Sequence, residues 1–273
     1  MTEIGEYFVN KCLAATTTRD PWPYTQFADG LPADSFNKLK KSIENIDEER
    51  LITEQAIDSD KKSFTPHDFP SFKEFNDPNG WYQQTGVFQG KESGHLVQDT
   101  QWVKAKHAKR DGLYPTYLYP GQWKEYGIDF EDEIRSIGTA VLNNARDLCN
   151  KFPKYKWYQK LGLNVHIKVD PPYPFSYYIH ADNPNKIWSS VIYISPDENI
   201  GTQLYTGREY ETSLDEKDYN LVKELLWKPN DHFVFCSDPE KSYHNYRNNM
   251  PKNRFTLCIF IGKFKENSGY YYN

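Results

Sequence analysis

The sequence predicts an α+β fold, in which helices in the first half of the chain support an antiparallel sheet or barrel in the second half. Apolar residues recur at helical spacing among residues 1–153, whereas strand-length runs of β-branched and aromatic residues follow from residue 154 onward. Because the helices precede the strands instead of alternating with them, the order argues against βαβ units.

The helical half contains three amphipathic segments. In the first, the apolar residues one turn apart are Ile4, Phe8 and Cys12. A second helix is predicted from Ala33 to about Ile57, with Asp34 or Ser35 as its N-cap. The clearest helix is predicted from Phe130 to Phe152 as one unbroken element. Its apolar stripe consists of Phe130, Ile134, Ile137, Val141, Ala145 and Leu148.

The strand-rich half contains four runs of strand length. In the run from Leu163 to Val169, apolar residues alternate strictly with polar ones, so that His166 and Lys168 share one face. A solvated polar face is the simpler interpretation of these two residues, and lining a pocket is the alternative. The other runs read "KIWSSVIYIS", "HFVFCS" and "RFTLCIFIGKF", each bounded by turn-forming residues.

Two predicted loops are long enough to close over a bound ligand. The segment from Phe64 to Gln98 is rich in Pro, Gly, Asn and Gln, and the second segment runs from Pro196 to Tyr219. Their use as lids is a hypothesis. No internal repeat and no clear linker divides the chain, so residues 1–273 are predicted to form a single domain.

Composition narrows the class of protein. The net charge of -5 gives no general attraction to nucleic acid, and the basic cluster from Lys104 to Arg110 is most simply a solvated face. The four cysteines are far apart and form neither a CxxC pair nor a zinc-ligand spacing, which favours reduced thiols. No N-terminal signal and no run of ~18 apolar residues is evident, so a cytoplasmic protein without a membrane span is predicted.

The stretch "YYIHAD" carries the clearest chemical signal. His180 and Asp182 lie two residues apart, and on an extended segment their side chains point the same way. His244 follows the "HFVFCS" strand after a short loop, where an antiparallel neighbour could bring it to the same end of a barrel. Two histidines and one carboxylate form the ligand set of non-haem Fe(II), which leaves three coordination positions open.

Arg254 adds a second requirement. It lies ten residues after His244, at the start of the last strand run. A planar guanidinium is suited to bidentate binding of a carboxylate, such as that of a metal-chelating keto acid. The alternative is an ordinary surface salt bridge.

The order H-x-D, distal histidine and arginine ten residues later resembles the 2-oxoglutarate- and Fe(II)-dependent oxygenase superfamily, particularly its prolyl-hydroxylase-like branch of microbial or phage type. The stretch "GTQLY" is similar to that family's glycine turn, and "WKPNDHFVFCSDPEKSYH" is similar to its turn, strand and loop before the distal histidine. Asn230 stands where the family has a glycine. The stretch "PWPYTQFADGLPADSFNKL" is similar to its N-terminal lead-in.

The resemblance implies a double-stranded β-helix, a jelly-roll or cupin-like barrel. It would cover about Lys154 to Phe264 within a catalytic core of residues 154–273, supported by residues 1–153. It implies that His180, Asp182 and His244 hold Fe(II), and that Arg254 holds the far carboxylate of 2-oxoglutarate. Tyr178 and His166 are further candidates to contact this co-substrate.

The implied reaction uses O2, with ascorbate as a supporting reductant, and releases succinate and CO2. The substrate would be a protein or an amino-acid-like molecule hydroxylated at a C–H bond. Related halogenases carry Gly or Ala in place of the aspartate, so Asp182 favours hydroxylation. The oligomeric state is left open.

Three alternatives remain from the sequence. A non-catalytic cupin-like protein would bind a metal or a sugar without 2-oxoglutarate turnover, but it leaves Arg254 unexplained. An oxygenase acting on nucleic acid is disfavoured by the acidic charge. A structural protein with an accidental triad requires several residues to coincide in order. His232, which lies in a strand, is interpreted as structural.

Overall fold

The computed structural model describes residues 3–47, 116–152, 161–170, 175–177, 179–182, 186–207, 219–238, 241–248 and 250–263. Several sequence predictions fall outside these residues. They are the loop from Phe64 to Gln98, the basic cluster from Lys104 to Arg110, the far end of the second helix, and Tyr178.

The described strands pair antiparallel throughout. In chain order they are β1 (Tyr24–Phe27), β2 (Thr116–Leu118), β3 (Leu161–Asp170), β4 (Phe175–Ser176), β5 (Lys186–Ser195), β6 (Gln203–Gly207), β7 (Tyr219–Glu224), β8 (His232–Cys236), β9 (His244–Asn245), β10 (Arg247–Asn248) and β11 (Arg254–Lys263). Six of them form one sheet in the order β1-β8-β5-β11-β3-β2, β7, β6 and β9 form a second, and β10 pairs with β4.

All four predicted strand runs are confirmed. The bounds of β5 coincide with the run "KIWSSVIYIS", and β3 begins two residues before the predicted Leu163. These runs hold because β-branched and aromatic side chains pack well on a pleated surface that is buried on both sides. The predicted loop from Pro196 to Tyr219 is interrupted by β6, and residues 208–218 lie outside the described part.

Four helices are described: α1 (Glu3–Ala14), α2 (Ala33–Glu44), α3 (Glu131–Asn143) and α4 (Ala145–Asn150), together with a 3₁₀ turn at Pro120–Tyr126. The first predicted helix is confirmed. The second ends at Glu44, well before Ile57, and Pro32 occupies its N-cap position without a side-chain hydrogen bond. Asp34 and Ser35 instead lie in its first turn, so the predicted cap is wrong.

The predicted helix from Phe130 to Phe152 is broken into α3 and α4 at Asn144. The Asn144 side chain donates to the Ala140 carbonyl at 2.8 Å, and its backbone N–H donates to the same oxygen at 3.1 Å. Asparagine disfavours a helix interior because its amide bonds to nearby backbone groups in this way. The apolar stripe nevertheless stays buried across the break, from Ile134 to Leu148.

The two faces of the six-stranded sheet differ in character. One face is apolar: Ile167 of β3 and Leu257 of β11 are cross-strand partners and belong to the same buried cluster as Phe8, Leu39 and Ile137 of the helices. The opposite face carries the polar residues of β3, and they are buried too. The solvated interpretation of His166 and Lys168 is therefore wrong, because other residues cover this face.

His232 has the structural role that the sequence suggested. It is fully buried, its ring packs against Phe8 and Phe27, and its Nε2 lies 2.5 Å from the Ser190 hydroxyl. Burial lowers its pKa to about 3, so the ring is neutral. The cysteines are free thiols. None of the described helices has the length and apolar character of a membrane span.

The turn before β8 depends on Asn230, which has a φ of 68°. Asparagine tolerates this left-handed conformation better than most residues, so it can stand where the pattern that the sequence resembles has a glycine. Its side chain also accepts from the Leu31 N–H and donates to the Leu31 carbonyl, both at 2.9 Å. Asn230 thus fastens the segment before α2 to the turn, which glycine could not do.

Replacing Asn230 tests these two contributions separately. We expect Asn230→Gly to lower the free energy of unfolding by about 2–4 kcal/mol, because it leaves the Leu31 backbone groups without partners. Asn230→Ala loses the same hydrogen bonds and about 1 kcal/mol more, because alanine resists the left-handed conformation. Urea unfolding measures both variants, and equal stabilities would contradict the argument from φ.

Candidate metal centre

His180, Asp182 and His244 come together although the last is far from the other two in sequence. Their candidate ligand atoms all lie within 4.8 Å of one another, which makes them a group that could hold a metal ion. Asp182 and His244 are buried, and His180 is partly buried. The structure therefore assembles the three side chains that the sequence pattern predicted.

A backbone bridge brings the two histidines together. The His180 N–H donates to the His244 carbonyl at 3.0 Å, and the His244 N–H donates to the His180 carbonyl at 2.8 Å. Residues joined by such a bridge present their side chains to the same side of the pair. The imidazole rings are accordingly only 4.4 Å apart, centroid to centroid.

The backbone sets the tautomer of His244. Its Nδ1 lies 2.8 Å from the Ser242 carbonyl, and a carbonyl only accepts, so Nδ1 carries the proton. Nε2 is then the unprotonated nitrogen that a metal requires. Burial, together with the charges of Lys186 and Lys168, lowers the pKa of this imidazole, although Asp182 and the Ser242 bond act in the opposite direction. A neutral ring suits ligation.

Both carboxylate oxygens of Asp182 are held by β5. The Ser189 hydroxyl donates to Oδ2 at 2.7 Å, and the Lys186 ammonium lies 2.9 Å from Oδ1. Burial acts to raise the pKa of Asp182, but the charges of Lys186, His244 and His180 outweigh it and hold that pKa well below the usual range. The carboxylate is therefore charged at neutral pH and fixed in orientation.

Arg254 is buried, which excludes the interpretation as a surface salt bridge. It is the cross-strand partner of Asp170, and its Nη1 donates to Asp170 Oδ2 at 2.7 Å. Lys168 Nζ lies 3.1 Å from the other oxygen of the same carboxylate. The guanidinium also lies 4.6 Å from the ring centroid of Trp227. Arg254 thus already contacts a carboxylate of its own chain.

A pair of tyrosines connects Arg254 and Lys168 to the histidines. Tyr177 stacks on Tyr246 at 4.7 Å, and its edge contacts His180 at 5.0 Å. Tyr246 in turn lies 5.2 Å from the Arg254 guanidinium and 2.9 Å from Lys168 Nζ, measured to the ring centroid. The two tyrosine rings therefore connect the charged cluster to His180, one of the three candidate metal ligands.

His166 occupies an aromatic part of the same sheet face. Its Nδ1 lies 2.8 Å from the Asn164 side-chain oxygen, and the rings of Tyr117, Tyr119 and Phe260 pack around it. Burial, followed by the charges of Lys186 and Lys168, lowers its pKa well below the usual value. Its contact with a co-substrate stays a prediction, as does that of Tyr178, which lies outside the described residues.

Several residues of this site were not singled out from the sequence: Asp170, Lys186, Ser189 and Tyr246. One signal was available, because Asp170 follows Lys168 by two residues on a strand and so shares its face. The partnership of Asp170 with Arg254 depends on the register between β3 and β11, which the sequence does not state. Lys186 and Ser189 become neighbours of Asp182 only once β5 lies beside that carboxylate.

The donor set fits a divalent transition metal. Two imidazole nitrogens and one carboxylate oxygen lie within 4.8 Å of one another, and a set of only three ligands leaves positions open for other molecules. One histidine and the carboxylate are each oriented by a further hydrogen bond, which is the usual support of metal ligands. The residues present therefore fit the Fe(II) that the sequence resemblance implies.

No protein-family model and no curated protein matches the chain. Among solved structures it is similar to a Trichoplax adhaerens prolyl hydroxylase in complex with a hypoxia inducible factor peptide (12% identity, 94% of this chain, 88% of that chain, TM-score 0.43). It is also similar to a Pseudomonas putida prolyl-4-hydroxylase (14% identity, 94% of this chain, 98% of that chain, TM-score 0.39). A third similar structure is a 2OG-Fe(II) oxygenase family protein from Burkholderia pseudomallei (15% identity, 47% of this chain, 56% of that chain, TM-score 0.30).

The ion pair of Lys186 with Asp182 makes a testable contribution. In metal-free protein at neutral pH, we expect Lys186→Met to lower the free energy of unfolding by about 3 kcal/mol, because it leaves a buried carboxylate without its cation. Lys38→Met is the control, since Lys38 pairs with Asp129 and Glu133 at the surface. Its loss should stay below about 1 kcal/mol. Urea unfolding in the presence of a chelator compares the two, and equal losses would contradict the assignment.

Proposed function

We propose that the chain is a non-haem Fe(II)- and 2-oxoglutarate-dependent dioxygenase. It hydroxylates a C–H bond of a protein or amino-acid-like substrate and releases succinate and CO2. The observation that carries this proposal is the cluster of His180, Asp182 and His244, to which the stacked rings of Tyr177 and Tyr246 connect the buried Arg254. A facial set of two histidines and a carboxylate leaves positions for a chelating co-substrate and for O2.

The three ligands would hold Fe(II) through one imidazole nitrogen from each histidine and one oxygen of Asp182. Bound iron, with 2-oxoglutarate and O2, supplies the oxidising chemistry that an unactivated C–H bond requires. The rest of the work falls to the chain. Ser189 and Lys186 fix the Asp182 carboxylate, and the Ser242 carbonyl keeps the proton of His244 on Nδ1. These contacts preorganise the ligands before a metal arrives.

Arg254 would bind the far carboxylate of 2-oxoglutarate. Its Nη1 is hydrogen-bonded to Asp170, whereas its buried Nε has no hydrogen-bond partner in the part of the chain that the structure describes. A guanidinium presents several donors in one plane, so it can contact two carboxylates at once. The aromatic rings of Trp227 and Tyr246 beside it exclude water and strengthen such a contact.

The strand arrangement supports a double-stranded β-helix in residues 154–273. The large antiparallel sheet supplies one layer, and the two small sheets, β7-β6-β9 and β10-β4, supply strands for a facing layer. The histidines lie at the ends of such strands, where a barrel of this kind is open. Helices α1 to α4 then support the outer face of the large sheet within a single domain. The free cysteines support a reducing, cytoplasmic compartment.

One observation favours a second candidate, a non-catalytic cupin-like protein that only binds a metal. Arg254 already has a carboxylate partner in Asp170, so a co-substrate is not needed to pair it. This candidate predicts metal binding without 2-oxoglutarate turnover. Of the two experiments that follow, the first tests the metal centre that both candidates require, and the second distinguishes the candidates.

Metal binding is expected to depend on all three ligands. Anaerobic titration of the protein with Fe(II) should give one equivalent bound. His180→Ala and His244→Ala should each weaken binding by more than the roughly 10- to 100-fold that loss of a supporting residue costs. Asp129→Asn, at an exposed carboxylate, is the control and should bind as the wild type does. Unchanged affinity in both histidine variants would exclude this site as the metal centre.

Turnover separates the enzyme from the binding protein. Protein mixed with Fe(II), ascorbate and 2-oxoglutarate under air should form succinate, and His180→Ala should form none. Arg254→Ala should recover turnover only at much higher 2-oxoglutarate, because the co-substrate loses a charge-assisted contact. Lys168 remains beside Asp170 in this variant, so the buried carboxylate keeps a partner. Metal binding without succinate would favour the cupin-like candidate.

A further inference from the structure

Lys168, Asp170 and Arg254 form a buried cluster that holds one positive charge in excess. Their side chains are 8%, 0% and 2% exposed. Both cations are paired with the single carboxylate of Asp170, at 3.1 Å from Lys168 and 2.7 Å from Arg254. Among the residues that the structure describes, no other carboxylate forms an ion pair with either cation.

Such an imbalance is costly inside a protein, because a buried charge without a counter-ion loses its hydration. The rings of Tyr246 and Trp227 offset part of this cost by cation–π contacts. They do not supply a hydrogen-bond acceptor, however, and among the described residues the buried Nε of Arg254 has none. The cluster therefore has both the charge and the donor needed for one more carboxylate.

We propose that Lys168 and Arg254 together bind the far carboxylate of the keto acid, with Lys168 as a second anchor and Asp170 as the internal counter-ion that holds both cations. This inference rests on the proposed function and assigns Lys168 and Asp170 a part in it. The cluster is close to the candidate metal ligands, since Lys168 Nζ lies 5.1 Å from the ring centroid of Tyr177, which in turn packs against His180. A keto acid chelating the metal would extend toward this pair of cations.

The strand register explains why three charges meet here. Lys168 and Asp170 are two residues apart on β3 and share a face, and Arg254 faces Asp170 from β11. Burial lowers the pKa of Lys168 to about 8 despite the neighbouring carboxylate, so the side chain is still largely protonated at neutral pH. Asp170 keeps the two cations close to each other, which their mutual repulsion would otherwise prevent.

Lys168 should therefore select dicarboxylic keto acids. A keto acid that ends in a methyl group would chelate the metal equally well but leave the excess charge without a partner. The same excess charge should lower the stability of the ligand-free protein. Removing it would leave Asp170 and Arg254 as a neutral pair.

The test compares two keto acids on the Fe(II)-loaded protein without oxygen, with binding followed by the metal-to-keto-acid absorption band. They are 2-oxoglutarate and 2-oxopentanoate, which has the same chain length but no far carboxylate. Lys168→Met should weaken the binding of 2-oxoglutarate by roughly 10- to 100-fold, as expected for a lost charge-assisted hydrogen bond. The same variant should bind 2-oxopentanoate with the affinity of the wild type, within about twofold. Lys168→Arg should retain most of the preference.

Two further measurements keep the outcome clear. Lys124→Met, at a side chain that is 83% exposed, is the matched control and should bind both acids as the wild type does. In thermal unfolding without ligand, Lys168→Met should be at least as stable as the wild type, whereas its stabilisation by 2-oxoglutarate should be smaller. Lys168→Gln repeats the comparison with a polar neutral side chain.

Each alternative outcome overturns a specific statement. Equal weakening of both acids by Lys168→Met, or a lower unfolding temperature of its ligand-free form, would mean that Lys168 is only structural. Normal 2-oxoglutarate binding in Lys168→Met, with weakened binding in Arg254→Ala, would overturn the second anchor and leave the proposed function standing. A wild type that binds no Fe(II) would overturn the proposed function. It would also overturn the proposed carboxylate site at Lys168 and Arg254, which rests on that function.

Discussion

The site depends on the backbone bridge between His180 and His244. Its two hydrogen bonds join the segment after β4 to the start of β9, so two histidines from distant parts of the chain present their rings side by side. Asp182 then needs only the two-residue offset of an extended segment to reach the same point. The large sheet fixes the orientation of the Asp182 carboxylate, because Ser189 and Lys186 of β5 contact its two oxygens.

Local pattern was sufficient to predict the strands and the three side chains that come together at the candidate metal centre. Buried strands were indicated by the strict alternation in β3 and by the apolar runs of β5, β8 and β11. The H-x-D pattern places its histidine and aspartate on the same side whenever the segment is extended. Helix ends were harder to predict. At Asn144 the apolar stripe continues while the backbone breaks, because the amide side chain bonds to Ala140. Hydrophobic periodicity records which residues are buried but carries no information on backbone continuity.

The charged part of the site was hidden for a different reason. Alternation in β3 placed His166 and Lys168 on one face, but it could not show what covers that face. In the structure Phe260 packs on His166, and Tyr246 packs on Lys168, so a face that looked solvated is buried. The pairing of Arg254 with Asp170 is likewise a property of register between β3 and β11. Contacts of this kind arise only once the strands are placed side by side.

The buried charges are better explained by ligands than by stability. Apolar residues of similar volume often stabilise a core as well as a buried ion pair does, because the pair loses its hydration on folding. Here Asp182 with Lys186, and Asp170 with Lys168 and Arg254, occupy one face of a sheet whose opposite face is apolar. A fold that needed only stability would gain little from this arrangement. Buried charges of this kind are typical of functional sites, which supports the proposed binding of a cation at the two histidines and of an anion beside Arg254.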